Sequence, residues 1–335
     1  MLIRSDLTKV HYKDISKEMR LRGFLFQKLI HLDSKKRFNR AQKMLVKYFK
    51  NKKPENSNIT VSEKYIKNRD GKEIRLCIYA PKNIARERLV TGLLWMHGGG
   101  YAIGLPEIEM STIEKIILTS ETVVISPDYR LSLDAPFPAA FNDCYDSLLW
   151  MKKHAKELGI LENQIFIGGE SAGGGLTCCL SAYARDKGEV GIAYQIPLYP
   201  MLDDRMKTQS MIDNNAPVWN EKNNKAAWKL YLGNKYQTSE ISTYVSPSRL
   251  DDYSNLPPTF TFVGDIEPFF DETLAYINNL KAAGVHADIK IFNGAFHAFD
   301  MFAPNSDSAK RATKAMLENY KYAVHNFFKE QKNNR

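Results

Sequence analysis

Cysteine is scarce: the chain of 335 residues has four, Cys77, Cys144, Cys178 and Cys179. None stands in C-x-x-C spacing, and the last two are neighbours in a helix-prone stretch where they cannot easily bridge each other. The spacing gives no sign of a disulfide framework, and reduced, structural thiols in a cytoplasm fit best. Long apolar runs are also missing. The longest, such as residues 93–96 and 123–126, fall far short of the roughly 20 residues that span a bilayer. The apolar stretch 24–32 is interrupted by Lys28 and followed by charge rather than by a small-residue cleavage site. No transmembrane helix and no signal peptide are expected, which again points to the cytoplasm. There is no H-E-x-x-H and no clustered ligand spacing, so the sequence calls for neither metal nor cofactor.

What is present describes a globular protein. Hydrophobic residues make up 44% and charged residues 25%, enough for a large core and too apolar for disorder. The length suits one α/β core with an accessory segment. The net charge of +9 is unevenly spread: residues 1–60 hold 16 Lys/Arg against 5 Asp/Glu, a surplus of 11 that leaves the remainder at −2. No aromatic-interleaved basic face or known motif accompanies this arm, so no nucleic-acid partner is expected. A solvated helix surface is the plain reading, with weak contact to an anionic membrane surface as the second.

Apolar residues Ile15, Met19, Leu21, Phe24, Leu25 and Leu29 recur at spacings near three and four, which predicts an amphipathic helix over 13–31. Ala41, Leu45, Val46 and Phe49 continue the pattern in a second helix, and the polar stretch 51–58 with Pro54 reads as a linker. From Ile59 the period changes to two, and strands at 59–66 and 74–79 flank Asp70-Gly71, a strong hairpin signal. Short apolar runs follow at 93–96, 123–126, 164–168, 193–197, 259–263 and 287–292, each trailed by a helix-length segment. That alternation predicts an α/β fold: a mainly parallel sheet with helices on both faces. The rhythm fails between 199 and 244, where helical spacing near Ala226, Ala227 and Leu230 suggests an insertion over one sheet edge. Three units are expected: a helical cap segment 1–58, a core of 59–199 with 245–330, and a cap insertion 200–244.

Gly169-Glu170-Ser171-Ala172-Gly173 follows a strand and opens a helix, the context of a G-x-S-x-G nucleophile elbow. So tight a turn strains the serine backbone and leaves no room for a Cβ on the flanking glycines. Alone, the pattern would equally describe a plain glycine-rich turn. A second motif decides between them: His97-Gly98-Gly99-Gly100-Tyr101 directly follows the strand at 93–96. Successive glycines let backbone N–H groups approach the oxyanion of a tetrahedral intermediate, which they stabilise by several kcal/mol (about 3–4 per donor). A phosphate cradle would need G-x-G-x-x-G or G-K-[ST], and both are absent. Among seven histidines, only His297 lies in a loop after the last strand, in the chain order Ser, acid, His that this arrangement uses. His286 reads as solvated.

Together these segments resemble the hormone-sensitive-lipase-like branch of the α/β hydrolases, bacterial esterases carrying HGGG and GDSAGG. The resemblance covers most of residues 75–328 and includes Asp128-Tyr129-Arg130-Leu131, Pro138-Ala139-Ala140 with Asp143 and Trp150, Leu256-Pro257-Pro258, and Glu267-Pro268 with Asp271-Glu272. It implies Ser171 as nucleophile, His297 as general base and acid, and the N–H groups of Gly99, Gly100 and Ala172 as oxyanion hole, with Gly98 a spacer. It implies caps from the N-terminal helices and the later insertion, where Phe24, Phe26, Trp219 and Trp228 would shape a pocket or simply pack the core. Three positions depart from the family: Glu267 replaces the usual aspartate, Glu170 stands where Asp is commoner, and Leu133-Asp134 replaces Pro-Glu. Asp265 also follows the strand at 259–263, and the frame of Pro268, Asp271 and Glu272 assigns the acid to Glu267, leaving Asp265 to brace the loop.

The implied activity is a carboxylesterase for short to medium acyl esters of small molecules. An amidase, a deacetylase or a lipase would use the same triad. A ligand-binding protein on the same fold would ordinarily lack a triad member, and here none is missing.

Overall fold

The Asp70-Gly71 turn closes a hairpin, with β1 (Ile59–Lys67) antiparallel to β2 (Glu73–Pro81) and Ile66 opposite Ile74. Asn68 holds the turn, its Oδ1 accepting the N–H groups of Asp70 and Lys72, as short polar side chains do in tight turns. The computed structural model describes residues 9–82, 88–238 and 240–331. Six more strands follow: β3 (Val90–Met96), β4 (Thr122–Asp128), β5 (Ile160–Glu170), β6 (Tyr194–Leu198), β7 (Thr259–Gly264) and β8 (Ala287–Phe292). They join the hairpin in one eight-stranded sheet of order β1-β2-β4-β3-β5-β6-β7-β8. β2 pairs antiparallel with β4, and every pairing from β4 through β8 is parallel. The C-terminal ends of β3, β5, β7 and β8 therefore share one edge, which receives the functional loops.

The helices, in chain order, are α1 (Arg20–Leu29), α2 (Lys35–Phe49), α3 (Met110–Thr119), α4 (Ala139–Lys153), α5 (Ala172–Lys187), α6 (Glu221–Leu232), α7 (Phe270–Ala282), the single turn α8 (Phe299–Phe302) and α9 (Asp307–Asn326). Side-chain alternation along β3 shows how the sheet is covered. Leu94 and Met96 pack with α4 and α5 through residues such as Leu148 and Leu176. Leu93 and Trp95 face α3 and α9 through Ile113, Ile116 and Met316. A strand buried on both faces needs an unbroken apolar run, and all seven residues of β3 are buried.

The N-terminal segment departs from expectation. Helix covers only Arg20–Leu29, after a short turn at Tyr12–Asp14. Ile15 and Met19 are buried while Leu21, Leu25 and Leu29 are exposed, so the apolar residues do not form one inward stripe. The cause is a tertiary tether: the Ser16 N–H donates to Gly294 O at 2.9 Å, pulling this stretch out of helix and onto the His297 loop. The second helix forms as expected but is anchored by Phe38, fully buried against Trp219, whereas Val46 is exposed. Residues 1–8 of the expected 1–58 segment lie outside the described residues, as does Ser239 of the 200–244 insertion. Segment 200–244 carries α6, N-capped by Asn220, whose side chain accepts from the Asn223 N–H. It is bonded to the N-terminal segment through Leu32 N–H to Asn223 Oδ1 and Gln27 to Asn215 O.

Candidate active site

β5 ends in the turn that carries Ser171, whose backbone lies at φ 55° and ψ −115°. A non-glycine residue held there costs on the order of 1–3 kcal/mol. The flanking glycines make the turn possible. A Cβ on Gly169 would lie 2.4 Å from Met96 O, and one on Gly173 2.0 Å from the same oxygen. β3 and β5 approach this closely because Met96 pairs with Gly169, a register that sets the His97–Gly100 loop beside Ser171.

The three residues assigned to the triad by sequence come together. His297 Nε2 lies 2.8 Å from Ser171 Oγ, and Nδ1 lies 2.5 Å from Glu267 Oε2. All three side chains are buried. A carboxylate beside Nδ1 fixes the proton there and leaves Nε2 free to accept from the serine. Glu267 is itself held by the Gly264 N–H, which donates to Oε1 at 3.0 Å. Asp265 instead accepts the Gly294 N–H at 2.6 Å, so it braces the loop that carries His297. The Pro268 and Asp271-Glu272 frame has a local job: Ser210 of the insertion donates to Pro268 O and Asp271 Oδ2, and Glu272 accepts the Leu202 N–H. The acid loop is thereby stitched to the segment above it.

Gly99 and Gly100 adopt φ of 112° and 60°. At Gly100 a Cβ would meet Trp219 at 2.4 Å. The Gly98 N–H is already taken by Glu109 Oε1, as a spacer's would be, while those of Gly99 and Gly100 have no acceptor among the described residues. Ala172 opens α5, so its N–H is one of the unsatisfied donors of a helix start. His97 stacks on Tyr129 with ring centroids 4.1 Å apart, and burial lowers its pKa to about 4. It is a neutral ring that backs the loop.

Sequence reasoning missed a group of acids beside the nucleophile. Glu109, Glu170 and Asp300 border the same cavity as Ser171. Glu170 accepts from Tyr199 OH at 2.7 Å and from Thr112 Oγ1 at 3.0 Å. Burial, and then the charge of Glu109, pushes the Glu170 carboxyl well above the usual range. Glu109 is raised by burial too, and Asp300 is pushed up to about 8 by burial and then by Glu170. Two buried carboxyls this close keep at least one proton between them. The Glu170 departure from the family was visible in the sequence, but nothing marked Glu109, which the turn before α3, distant in sequence, brings to it.

The cavity over Ser171 and His297 holds about 550 Å³. Trp219 borders it, as do Ile30, Leu32, Leu45 and Phe49 from the N-terminal segment. Of the other aromatics expected there, Trp228 is buried in the core, Phe26 packs on Phe296 and Phe302, and Phe24 is exposed. Leu133-Asp134 sits in a turn whose Ser132 N–H donates to Tyr101 O. Arg130 binds Asp143 through Nε and Nη2, which accounts for that family pair. His286 is exposed. The four cysteines are free and buried. Among the described residues one group, Glu63, Cys77 and Glu107, gathers possible metal-ligand atoms. The Arg75 guanidinium already binds both carboxylates, at 2.9 and 2.8 Å, so a cation would have to displace a resident one.

The family model of the alpha/beta hydrolase fold matches residues 93–301. An arylesterase of Saccharolobus solfataricus is 32% identical over 68% of this chain and 73% of its own. Esterase LipI of Mycobacterium tuberculosis is 27% identical over 74% of this chain and 78% of its own. Among solved structures, a bacterial heroin esterase superposes with a TM-score of 0.83 at 30% identity, covering 93% of this chain and 99% of that one. With the sheet order, the elbow and the HGGG loop, these likenesses show that the chain belongs to the α/β-hydrolase family, in its hormone-sensitive-lipase-like branch.

Proposed function

We propose that the protein is a serine carboxylesterase that cleaves short to medium acyl esters of small molecules through an acyl-enzyme. The observation that carries this reading is the hydrogen-bonded line from Glu267 through His297 to Ser171, lying under a cavity with an apolar rim. In this reading His297 Nε2 takes the serine proton as Oγ attacks the ester carbonyl. The N–H groups of Gly99, Gly100 and Ala172 hold the oxyanion, and Glu267 stabilises the imidazolium. Imidazolium then protonates the leaving alcohol, and a water activated by the same ring releases the acid. Every step uses this chain's own groups, with no metal or cofactor. Residues 1–58 and 200–244 act as the cap over a core of 59–199 and 245–330. The location proposed is the cytoplasm, supported by four buried free thiols. No helix among the described residues is long and apolar enough to cross a membrane.

Esters are favoured over amides because an alkoxide leaves with less help than an amine, and the chain's named relatives include an esterase, a carboxylesterase and an arylesterase. The test is a panel of p-nitrophenyl esters from acetate to palmitate beside the matching acetanilide. Turnover should peak at short to medium chains and exceed that of the anilide by orders of magnitude. An anilide rate matching the acetate rate would replace this reading with an amidase.

A further inference from the structure

The N-terminal arm presents a face that nothing among the described residues covers. Leu21, Leu25 and Leu29 of α1 recur every fourth residue and are 67%, 47% and 73% exposed. At about 100° per residue they occupy one arc, with Arg22 on one flank and Lys28 on the other. α2 adds a row of cations at helical spacing, Lys36, Arg40, Lys43 and Lys47, all exposed. None of these four pairs with a carboxylate among the described residues. Like charges four apart destabilise a helix, and a leucine stripe in water gains nothing from burial, so both features work against the arm standing alone.

We infer that this arm docks on an anionic lipid surface, with the leucines of α1 seated at the acyl boundary and the cations of α2 against the headgroup phosphates. Charge complementarity selects this occupant: residues 1–60 carry a surplus of 11 positive charges, whereas the rest of the chain is near neutral. A second copy would bring the same surplus against itself. A nucleic acid would meet the cations but leave the leucines in water. A leucine arc flanked by basic residues is the pattern of a helix lying in a membrane interface. Ile30, Leu32, Leu45 and Phe49, from the same arm, border the cavity over Ser171, so docking holds that cavity next to a source of acylated compounds.

The test is co-sedimentation of the full chain with vesicles of phosphatidylcholine containing about one-third phosphatidylserine, and with pure phosphatidylcholine, at low and high salt. The anionic vesicles should bind about tenfold or more tightly than the neutral ones, and high salt should remove most of that advantage. Leu21→Ser/Leu25→Ser/Leu29→Ser, and separately the exposed Leu29→Ser alone, should weaken binding while turnover of soluble p-nitrophenyl acetate stays unchanged. The unchanged turnover also reports that the variants fold. Equal binding to both vesicle types, or undiminished binding by the serine variants, would overturn the inference. So would a wild-type dimer that the serine variants dissolve, since a second copy would then cover the stripe.

Discussion

Oε1 of Glu109 accepts the Gly98 N–H at 2.9 Å, tying the loop that carries Gly99 and Gly100 to a buried carboxyl. Removing the acceptor frees a buried donor at a cost of about 1–3 kcal/mol. Glu109→Ala should therefore lower kcat by about 10- to 100-fold with KM little changed. Glu109→Gln, which keeps an acceptor oxygen, should recover most of it. Steady-state kinetics on one soluble ester separates the two variants.

The acids beside Ser171 make stability depend on pH with a definite sign. Glu170, Glu109 and Asp300 are all raised above their unfolded values by burial, Asp300 to about 8. A group raised in this way contributes fully below its unfolded pKa, and its contribution falls as pH rises toward the folded one. Thermal stability should decline as pH rises from the unfolded carboxyl range near about 4 through about 8. Asp300→Asn should flatten that decline, which a melting series across the range would show.

Glu267→Gln should lower kcat by orders of magnitude, up to about 10⁴ as in triads generally. Asp265→Asn should act mainly through stability, because Asp265 holds the Gly294 N–H while Glu267 holds the imidazole Nδ1. Glu267→Asp should restore part of the loss, its shorter side chain stretching the bond to His297. The reverse ranking of the Gln and Asn variants, at equal folded fraction, would move the acid to Asp265.

The sheet was legible because its signals are local. Asp70-Gly71 marks one hairpin, and each short apolar run lies within an observed strand or overlaps it by all but one residue. The elbow and the HGGG loop were legible because steric need writes glycine into the sequence, at Gly169 and Gly173 against Met96 O. What the sequence misplaced or did not mark is set by distant contacts. Ile15 and Met19 have helical spacing, but the tether from Ser16 to Gly294 overrides it. Glu109 carries no local signal, and folding buries it beside Glu170 and Gly98. Trp219 could be proposed for the pocket, but periodicity could not separate it from Trp228, which only packs.

Trp219 touches Gly100 and borders the cavity, so it limits the space above the nucleophile. Trp219→Ala should shift preference toward longer acyl chains, raising the octanoate-to-acetate ratio of kcat/KM by about tenfold. A hydrophobic pocket gains on the order of 1–3 kcal/mol for each added methylene that fits. The ester panel run on both proteins checks it.

The central claim is that Ser171 is the nucleophile, and covalent capture tests it most directly. A fluorophosphonate probe incubated with the folded enzyme, followed by mass spectrometry of the digest, should place one adduct on Ser171. Folded Ser171→Ala should take up no probe and hydrolyse no ester. Labelling at another serine, or an adduct and ester turnover that persist in the alanine variant, would contradict the account.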